Sequence, residues 1–155
     1  MNTGPYSEPP VTAFINEHFV PVRTECNWDT PTGWMRRFDI QWTPTFLVHD
    51  PEGKEHHRFV GYSPSDDLLG QLWLGKAKIE YDAGRPGEAI LLFEKVLALH
   101  PAAGAAPEAA FLRGVAAYKR TNDPKELRRA YEALIAKYPG SEWSRRAEPY
   151  AAIPL

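Results

Sequence analysis

Apolar residues are spaced differently on the two sides of residue 63. Upstream, short apolar clusters alternate with prolines and with β-branched or aromatic runs, whereas downstream they recur at helical spacing among many alanines and leucines. Pro21 has no N–H to donate to a sheet, so its position implies the start of a strand or a sheet edge. The upstream pattern predicts helix, strand, helix, strand and strand, at 11–19, 19–23, 32–38, 45–49 and 54–60.

Turn and capping residues predict where these elements begin and end. Residues 50–53 place a proline and a glycine where a type I turn favours them, so the last two strands should form a hairpin. Ser63 is expected to cap a long helix, with Pro64 at its first position and Gly84 at its end. Further helices are predicted to begin at Pro86, at Pro107, after Asp123 and at about Glu142.

The downstream helices repeat at an interval of 38 residues. The glycine or asparagine that opens each copy is expected at a helix–helix turn, where a left-handed residue is needed. The aromatic residue should pack across the helical hairpin, and the proline should end its second helix. Gly84, Ala89, Phe93, Leu97 and Pro101 recur as Asn122, Leu127, Tyr131, Ile135 and Pro139.

The first copy resembles the tetratricopeptide repeat. The second copy is weaker, because Leu127 stands where alanine is usual and because the interval exceeds the family's 34 residues. The resemblance covers roughly residues 68–148 and implies stacked helical hairpins with a concave face that can bind peptides. The alternative is a small helical cap on the first domain, since repeat arrays usually need three or more copies. The matching consensus positions are Trp73, Ala77, Tyr81, Gly84, Ala89, Phe93 and Pro101.

A second resemblance to a known family involves several short stretches around the run Trp42-Thr43-Pro44-Thr45. These stretches, at 14–22, 38–40, 43–47, 50–54 and 59–62, together resemble the latter part of a thioredoxin-like domain, over about residues 11–83. The resemblance implies a cis Thr43–Pro44 bond and an outward-facing Thr43 backbone that pairs with an extended client peptide. It therefore carries over Trp42, Thr43, Pro44 and Thr45 as a peptide-binding edge. The alternative is a trans bond that merely begins a strand.

The family's first core strand and its Cys-x-x-Cys motif have no counterpart in this sequence. They would precede Ser7, and Cys26 is the only cysteine in the chain. One explanation is that another strand fills the gap, from a second copy that pairs with the open sheet edge as a homodimer. The other is that the chain is truncated by about 25 to 35 residues. Met1 would then correspond to a methionine that follows the second cysteine in related redox proteins.

Composition narrows the class of partner. The chain has 155 residues, of which 43% are hydrophobic, and a net charge of −2, which argues against nucleic acid and anionic membranes as main partners. No apolar run has the length of a membrane-spanning helix, and residues 1–10 lack the regions of a signal peptide. We therefore expect a cytoplasmic protein that binds other proteins or peptides and carries no cofactor.

Few side chains outside the proline loop suggest chemistry. Cys26 is a weak catalytic candidate, because its strand should end on the rim of the missing motif and a nearby cation would make the thiol reactive. The alternative is an unreactive, packed thiol, and one cysteine excludes a disulfide framework or a thiolate zinc cluster. His56 and His57 are adjacent on a strand, so they should point to opposite faces and cannot chelate one metal. They are predicted to be solvated, and no metal site is predicted.

The predicted fold class is a partial α/β thioredoxin-like domain followed by an all-α, tetratricopeptide-like segment. The first covers residues 1–67, with its final helix running to about residue 83, and the second covers 68–155. The predicted function is binding of client peptides or proteins without disulfide exchange, because exchange needs an attacking and a resolving thiol. One alternative is a thiol-disulfide oxidoreductase whose Cys-x-x-Cys lies upstream of Met1. Another is a structural adaptor that binds through its helical repeats.

Overall fold

The computed structural model describes residues 4–155, so the predicted role of Met1 lies outside the described residues. Within them the chain is mostly helical and has one small sheet of two antiparallel strands. The helices and strands are α1 (Pro9–His18), α2 (Gly33–Arg37), β1 (Thr45–His49), β2 (Glu55–Val60), α3 (Ser65–Asp82), α4 (Pro86–Leu99), α5 (Ala106–Thr121), α6 (Lys125–Lys137) and α7 (Glu142–Ala147). Short 3₁₀ helices occupy Pro5–Ser7 and Glu148–Ala152.

The coarse prediction of a mixed α/β part followed by helices is confirmed, but the strand predicted at 19–23 is wrong. The backbone leaves α1 in an extended conformation at Phe19, and no strand among residues 4–155 pairs with the segment that follows. Val20 and Val22 are 92% and 77% exposed. The local preference for a strand is not realised, because a strand needs a hydrogen-bonded neighbour and Pro21 lacks a donor.

The helix boundaries lie within about two residues of the predicted ones, and α4 and α7 begin at the predicted Pro86 and Glu142. The N-cap position of α3 is Pro64, with no side-chain hydrogen bond, so the assignment of Ser63 as the cap is wrong by one residue. The left-handed turn residues are confirmed: Gly84 has φ of 73° and Asn122 has φ of 57°. Ser141 caps α7 by accepting a hydrogen bond from the Ser144 N–H at 3.0 Å.

The hairpin lies between α3 on one face and the residues that follow α2 on the other. Thr45 faces Val60 across the two strands, and the register is interrupted between Val48 and His49. On one face α3 approaches closely, because a Cβ added at Gly75 would lie 2.8 Å from Val48 Cγ2. Val48 shares a buried cluster with Val11 of α1 and with Leu68 and Leu72 of α3. This cluster is the core of the α/β half.

On the other face of the hairpin lie Phe38 and Asp39, which follow α2. The rings of Phe38 and His49 lie with their centroids 5.2 Å apart. Arg58 donates to the carbonyl oxygens of Phe38 at 2.7 Å and Asp39 at 3.3 Å. Since the last carbonyls of a helix lack partners within the helix, Arg58 connects the end of α2 to β2.

Helix α3 also belongs to the core of the helical half. Its Leu74 and Ala77 are fully buried with Phe93 of α4, and Tyr81 meets the Phe93 ring edge-on at 6.3 Å, as predicted for a helical hairpin. The next hairpin, α5 and α6, is so tight that a Cβ on Gly114 would clash with that of Ala130. At the far end of the array Trp143 and Tyr150 cover Phe111. No helix among the described residues is both long and apolar enough to cross a bilayer.

Candidate functional site

The loop that leads into β1 is held at both ends by hydrogen bonds. The Thr43–Pro44 bond is cis, as predicted. Thr45 Oγ1 donates to the Trp42 carbonyl oxygen at 2.7 Å, and the Gly61 N–H donates to the Pro44 carbonyl oxygen at 2.8 Å. The second bond ties the loop to the far strand of the hairpin, so the loop is a fixed part of the sheet.

The backbone of Thr43 points to no partner in the part of the chain that the structure describes. Neither its N–H nor its carbonyl oxygen makes a hydrogen bond there, and the residue is exposed. Backbone polar groups are strong hydrogen-bonding groups. Thr43 therefore offers one donor and one acceptor to an incoming chain, and Trp42 beside it is 66% exposed.

A shallow cleft of about 330 Å³ lies next to this loop. One wall is Thr43 and Pro44, and the other is the extended segment Arg23, Thr24, Glu25 and Cys26. The structure thus brings Cys26, which is half-buried, to the predicted peptide edge, whereas Trp42 and Thr45 do not line the cleft. Cys26 and the loop are 17 residues apart in the sequence, and they meet because the chain turns back through α2.

Exposed apolar side chains are concentrated in this half of the molecule. Large apolar patches on the surface of a protein commonly mark interaction sites. Val20 and Val22 precede the cleft wall, and the tryptophans of the α/β half are all about half-exposed or more. These tryptophans are Trp28, Trp34 and Trp42, which are 51%, 48% and 66% exposed.

A second cleft, of about 360 Å³, lies between the hairpin turn and the end of α3. His56 occupies it with both ring nitrogens bonded: Nδ1 lies 2.6 Å from Asp82 Oδ2, and Nε2 lies 2.8 Å from Asp50 Oδ2. Because carboxylates only accept, the imidazolium form satisfies both contacts. Burial alone lowers the pKa of His56, but the hydrogen bonds to Asp50 and Asp82 outweigh it and raise the pKa above its usual value.

The buried His57 belongs to a partly buried chain of polar contacts. Its Nε2 lies 2.7 Å from Gln71 Oε1, and Lys78 Nζ lies 3.3 Å from Nδ1 and 2.8 Å from Glu108 Oε1. Burial lowers the pKa of His57, and the neutral ring can donate to Gln71 and accept from Lys78. This chain of contacts connects β2 through α3 to α5.

The prediction that these two histidines are solvated is therefore wrong. The His56 side chain is only 4% exposed and the His57 residue only 7%. Sequence reasoning missed them because Asp82 is 26 residues from His56 and Glu108 is 51 residues from His57. The only local signal was Asp50 in the turn, six residues before His56.

Comparison with protein-family models, with curated proteins and with solved structures found no match. The resemblances to the thioredoxin-like fold and to the tetratricopeptide repeat therefore stay predictions.

Proposed function

We propose that this protein binds extended peptide segments of client proteins at the cleft between Thr43–Pro44 and residues 23–26. The observation that carries the proposal is the exposed backbone of Thr43, which has no hydrogen-bond partner in residues 4–155 and lines the cleft. A peptide that aligns with this edge adds a short strand to the hairpin, a common mode of peptide recognition.

Backbone pairing at Thr43 supplies only part of the affinity. A backbone hydrogen bond contributes about 0.5–1.5 kcal/mol net, so two bonds supply about 1–3 kcal/mol. A micromolar complex needs about 8 kcal/mol. Apolar contacts must therefore supply the larger share, and we propose that the exposed side chains of Trp42, Val20 and Val22, which are near the cleft residues in the sequence, provide them.

The position of Cys26 bears on the redox alternative. Cys26 lines the cleft, so we propose that its thiol can attack a disulfide of a bound client, form a mixed disulfide and release one client thiol. Completing the exchange needs a second thiol to resolve that intermediate, and this sequence has none. We therefore propose that this chain binds its clients without disulfide exchange.

The test compares two substitutions of Thr43 by side chains of similar size, one that removes the backbone N–H and one that keeps it. The probe is an acetylated and amidated octapeptide of alternating valine and threonine, and calorimetry measures its affinity. Thr43→Pro deletes the N–H and should weaken binding by about tenfold, whereas Thr43→Val keeps the N–H and should bind within about twofold to threefold of the unmodified chain.

Circular dichroism of both variants checks that the hairpin remains folded. Equal affinity of the proline and valine variants would assign peptide binding to another surface, in the first place to the helical segment. Failure of the unmodified chain to bind the octapeptide would overturn the proposed function.

A further inference from the structure

Lys76 of α3 directs its amino group at a histidine and not at a carboxylate. Its Nζ lies 2.9 Å from Nδ1 of His18, the last residue of α1. A lysine ammonium only donates hydrogen bonds, so Nδ1 of His18 is the acceptor and carries no proton. Glu17 and Glu80 act on Lys76 through charge alone, without a hydrogen bond among the described residues. The side chain next to the lysine nitrogen is therefore a base.

Aromatic rings hold this pair in place. Lys76 Nζ lies 5.9 Å from the centre of the Phe19 ring and 5.7 Å from that of the Trp73 ring. The His18 ring packs with its centroid 4.5 Å from that of Phe14 and 5.0 Å from that of Trp73. Lys76 is only half-buried, so a small molecule can reach it. The amine and the base are thus held at hydrogen-bond distance from each other, as proton transfer requires.

Burial lowers the pKa of Lys76, and the opposing attraction of Glu17 and Glu80 does not cancel this effect. Together with His18, these glutamates are the titratable groups that act on Lys76 from α1 and α3 among the described residues. A larger share of the amino group is therefore neutral near pH 7 than in a fully exposed lysine. A neutral amine is a nucleophile, and partial removal of a lysine from water is a common way to obtain one.

We propose that Lys76 is an acylation site for small thioesters, with His18 as the base. The Lys76 nitrogen attacks the carbonyl carbon of the thioester and forms a C–N bond, and its surplus proton passes to His18 Nδ1. The C–S bond then breaks, and the leaving thiolate takes up that proton. An amide and a thiol replace the amine and the thioester, so nothing is oxidised or reduced. Neither residue lines the cleft proposed for peptides, so the inference stands apart from peptide binding.

Acetylation of the whole chain by S-acetyl-N-acetylcysteamine at pH 7.5 tests the site, and peptide mass spectrometry measures the rate at each lysine. Lys95 is the reference within the chain, because it is exposed on α4. A positioned base commonly accelerates a reaction by about a hundredfold or more, so Lys76 should be acetylated at least about tenfold faster than Lys95. A smaller ratio would overturn the proposal.

Two substitutions of His18 test its role as the base. His18→Asn keeps a hydrogen-bond acceptor near the place of Nδ1, and His18→Phe keeps a ring beside Phe14 and Trp73, but neither new side chain is a base. Each should slow acetylation of Lys76 by about tenfold or more and leave the rate at Lys95 unchanged. Circular dichroism checks the fold. A fast rate at Lys76 in either folded variant would remove His18 from the reaction and overturn the inference.

The pH dependence of acetylation in the unmodified chain decides the question even if neither variant folds. The reference is the free compound Nα-acetyl-lysine amide, whose amine has the ordinary lysine pKa of about 10.4. Because burial lowers the pKa of Lys76, its acetylation rate should level off at a lower pH than that of the reference compound. Parallel pH profiles would show an ordinary amine and contradict the proposal.

Discussion

The α/β half and the helical half of this molecule meet their hydrogen-bonding needs in different ways. Helices α3 to α6 pair their own backbone groups, and their core residue Phe93 is fully buried. Among its described residues the α/β half has one hairpin, and the segment after α1 has an extended backbone with exposed valines. A strand needs a neighbouring strand to bond its backbone groups, whereas a helix bonds its own. We propose that the α/β half is the part of the molecule that a binding partner completes.

The largest effect is expected from truncating the helical core. Phe93→Ala deletes a fully buried aromatic side chain and should lower the free energy of unfolding by about 3–5 kcal/mol. Val22→Ala in the extended segment is the matched control, and it should change stability by less than about 0.5 kcal/mol. Urea denaturation measures both. A loss above about 1 kcal/mol in Val22→Ala would show that the segment packs in solution and would weaken the contrast between the halves.

The next largest effect on stability is expected from alanine substitutions at two helical glycines that have different surroundings. A Cβ on Gly114 would clash with the Cβ of Ala130, whereas a Cβ on Gly87 meets nothing within 4 Å. Gly114→Ala should therefore push α5 and α6 apart and destabilise the fold by about 1–3 kcal/mol. Gly87→Ala should leave it unchanged or up to about 1 kcal/mol more stable. Equal thermal midpoints for the two variants would show that the second hairpin is looser than the structure indicates.

At the junction between the halves, the pKa values of the neighbouring His56 and His57 should be shifted in opposite directions. NMR titration should find the pKa of His56 above the ordinary value of 6.5 and the pKa of His57 below it. The variants His56→Gln and His57→Gln assign the resonances. A pKa of His56 at or below that of His57 would contradict the contacts of His56 with Asp50 and Asp82.

The same contacts set a pH window for stability. A raised folded-state pKa means that the contribution of His56 is complete below pH 6.5 and is lost as the pH rises through its folded-state pKa. The pKa of Asp50 is lowered, mainly by its hydrogen bond to His56. The stability that Asp50 contributes is therefore present above pH 3.8 and is lost as the pH falls through its lowered pKa. Asp82→Asn removes one of the two carboxylates that raise the pKa of His56. The stability that His56 contributes should therefore be lost at a lower pH, as measured by urea denaturation at pH 6 and pH 9.

Local patterns predicted those parts of the fold that depend on near neighbours. The hairpin followed from strand spacing around residues 50–53, and the left-handed Asn122 followed from its repeat relation to Gly84. Each needs only a few adjacent residues to form. The cis bond at Pro44 was predicted from the resemblance and is present.

Contacts across the chain explain what the sequence did not reveal. The strand predicted at 19–23 failed because its strand character is local, whereas a partner strand must come from elsewhere in the chain or from another chain. The contact of His56 with Asp82 and the approach of Gly114 to Ala130 depend on how α3 to α6 dock. Nothing within a few residues of these positions encodes that docking.

The smallest effect on stability is expected at Cys26, where the consequence for binding should be large. Carbamidomethylation of its half-buried thiol adds a polar group to a cleft wall that is not packed against a core. It should change the free energy of unfolding by less than about 0.5 kcal/mol. The same group occupies part of a cleft of only about 330 Å³, so the affinity for the octapeptide should fall by about tenfold or more.

The Cys26→Ser variant, treated with the same reagent, is the control for modification elsewhere and should bind as before treatment. If alkylation destabilises the fold by more than about 1 kcal/mol, residues 23–26 pack as part of a core, and the contrast between a closed helical half and an open α/β half fails at this wall. If alkylation leaves both stability and affinity unchanged, the peptide does not enter the cleft at Cys26. Binding at Thr43 would then use the outer side of the loop alone.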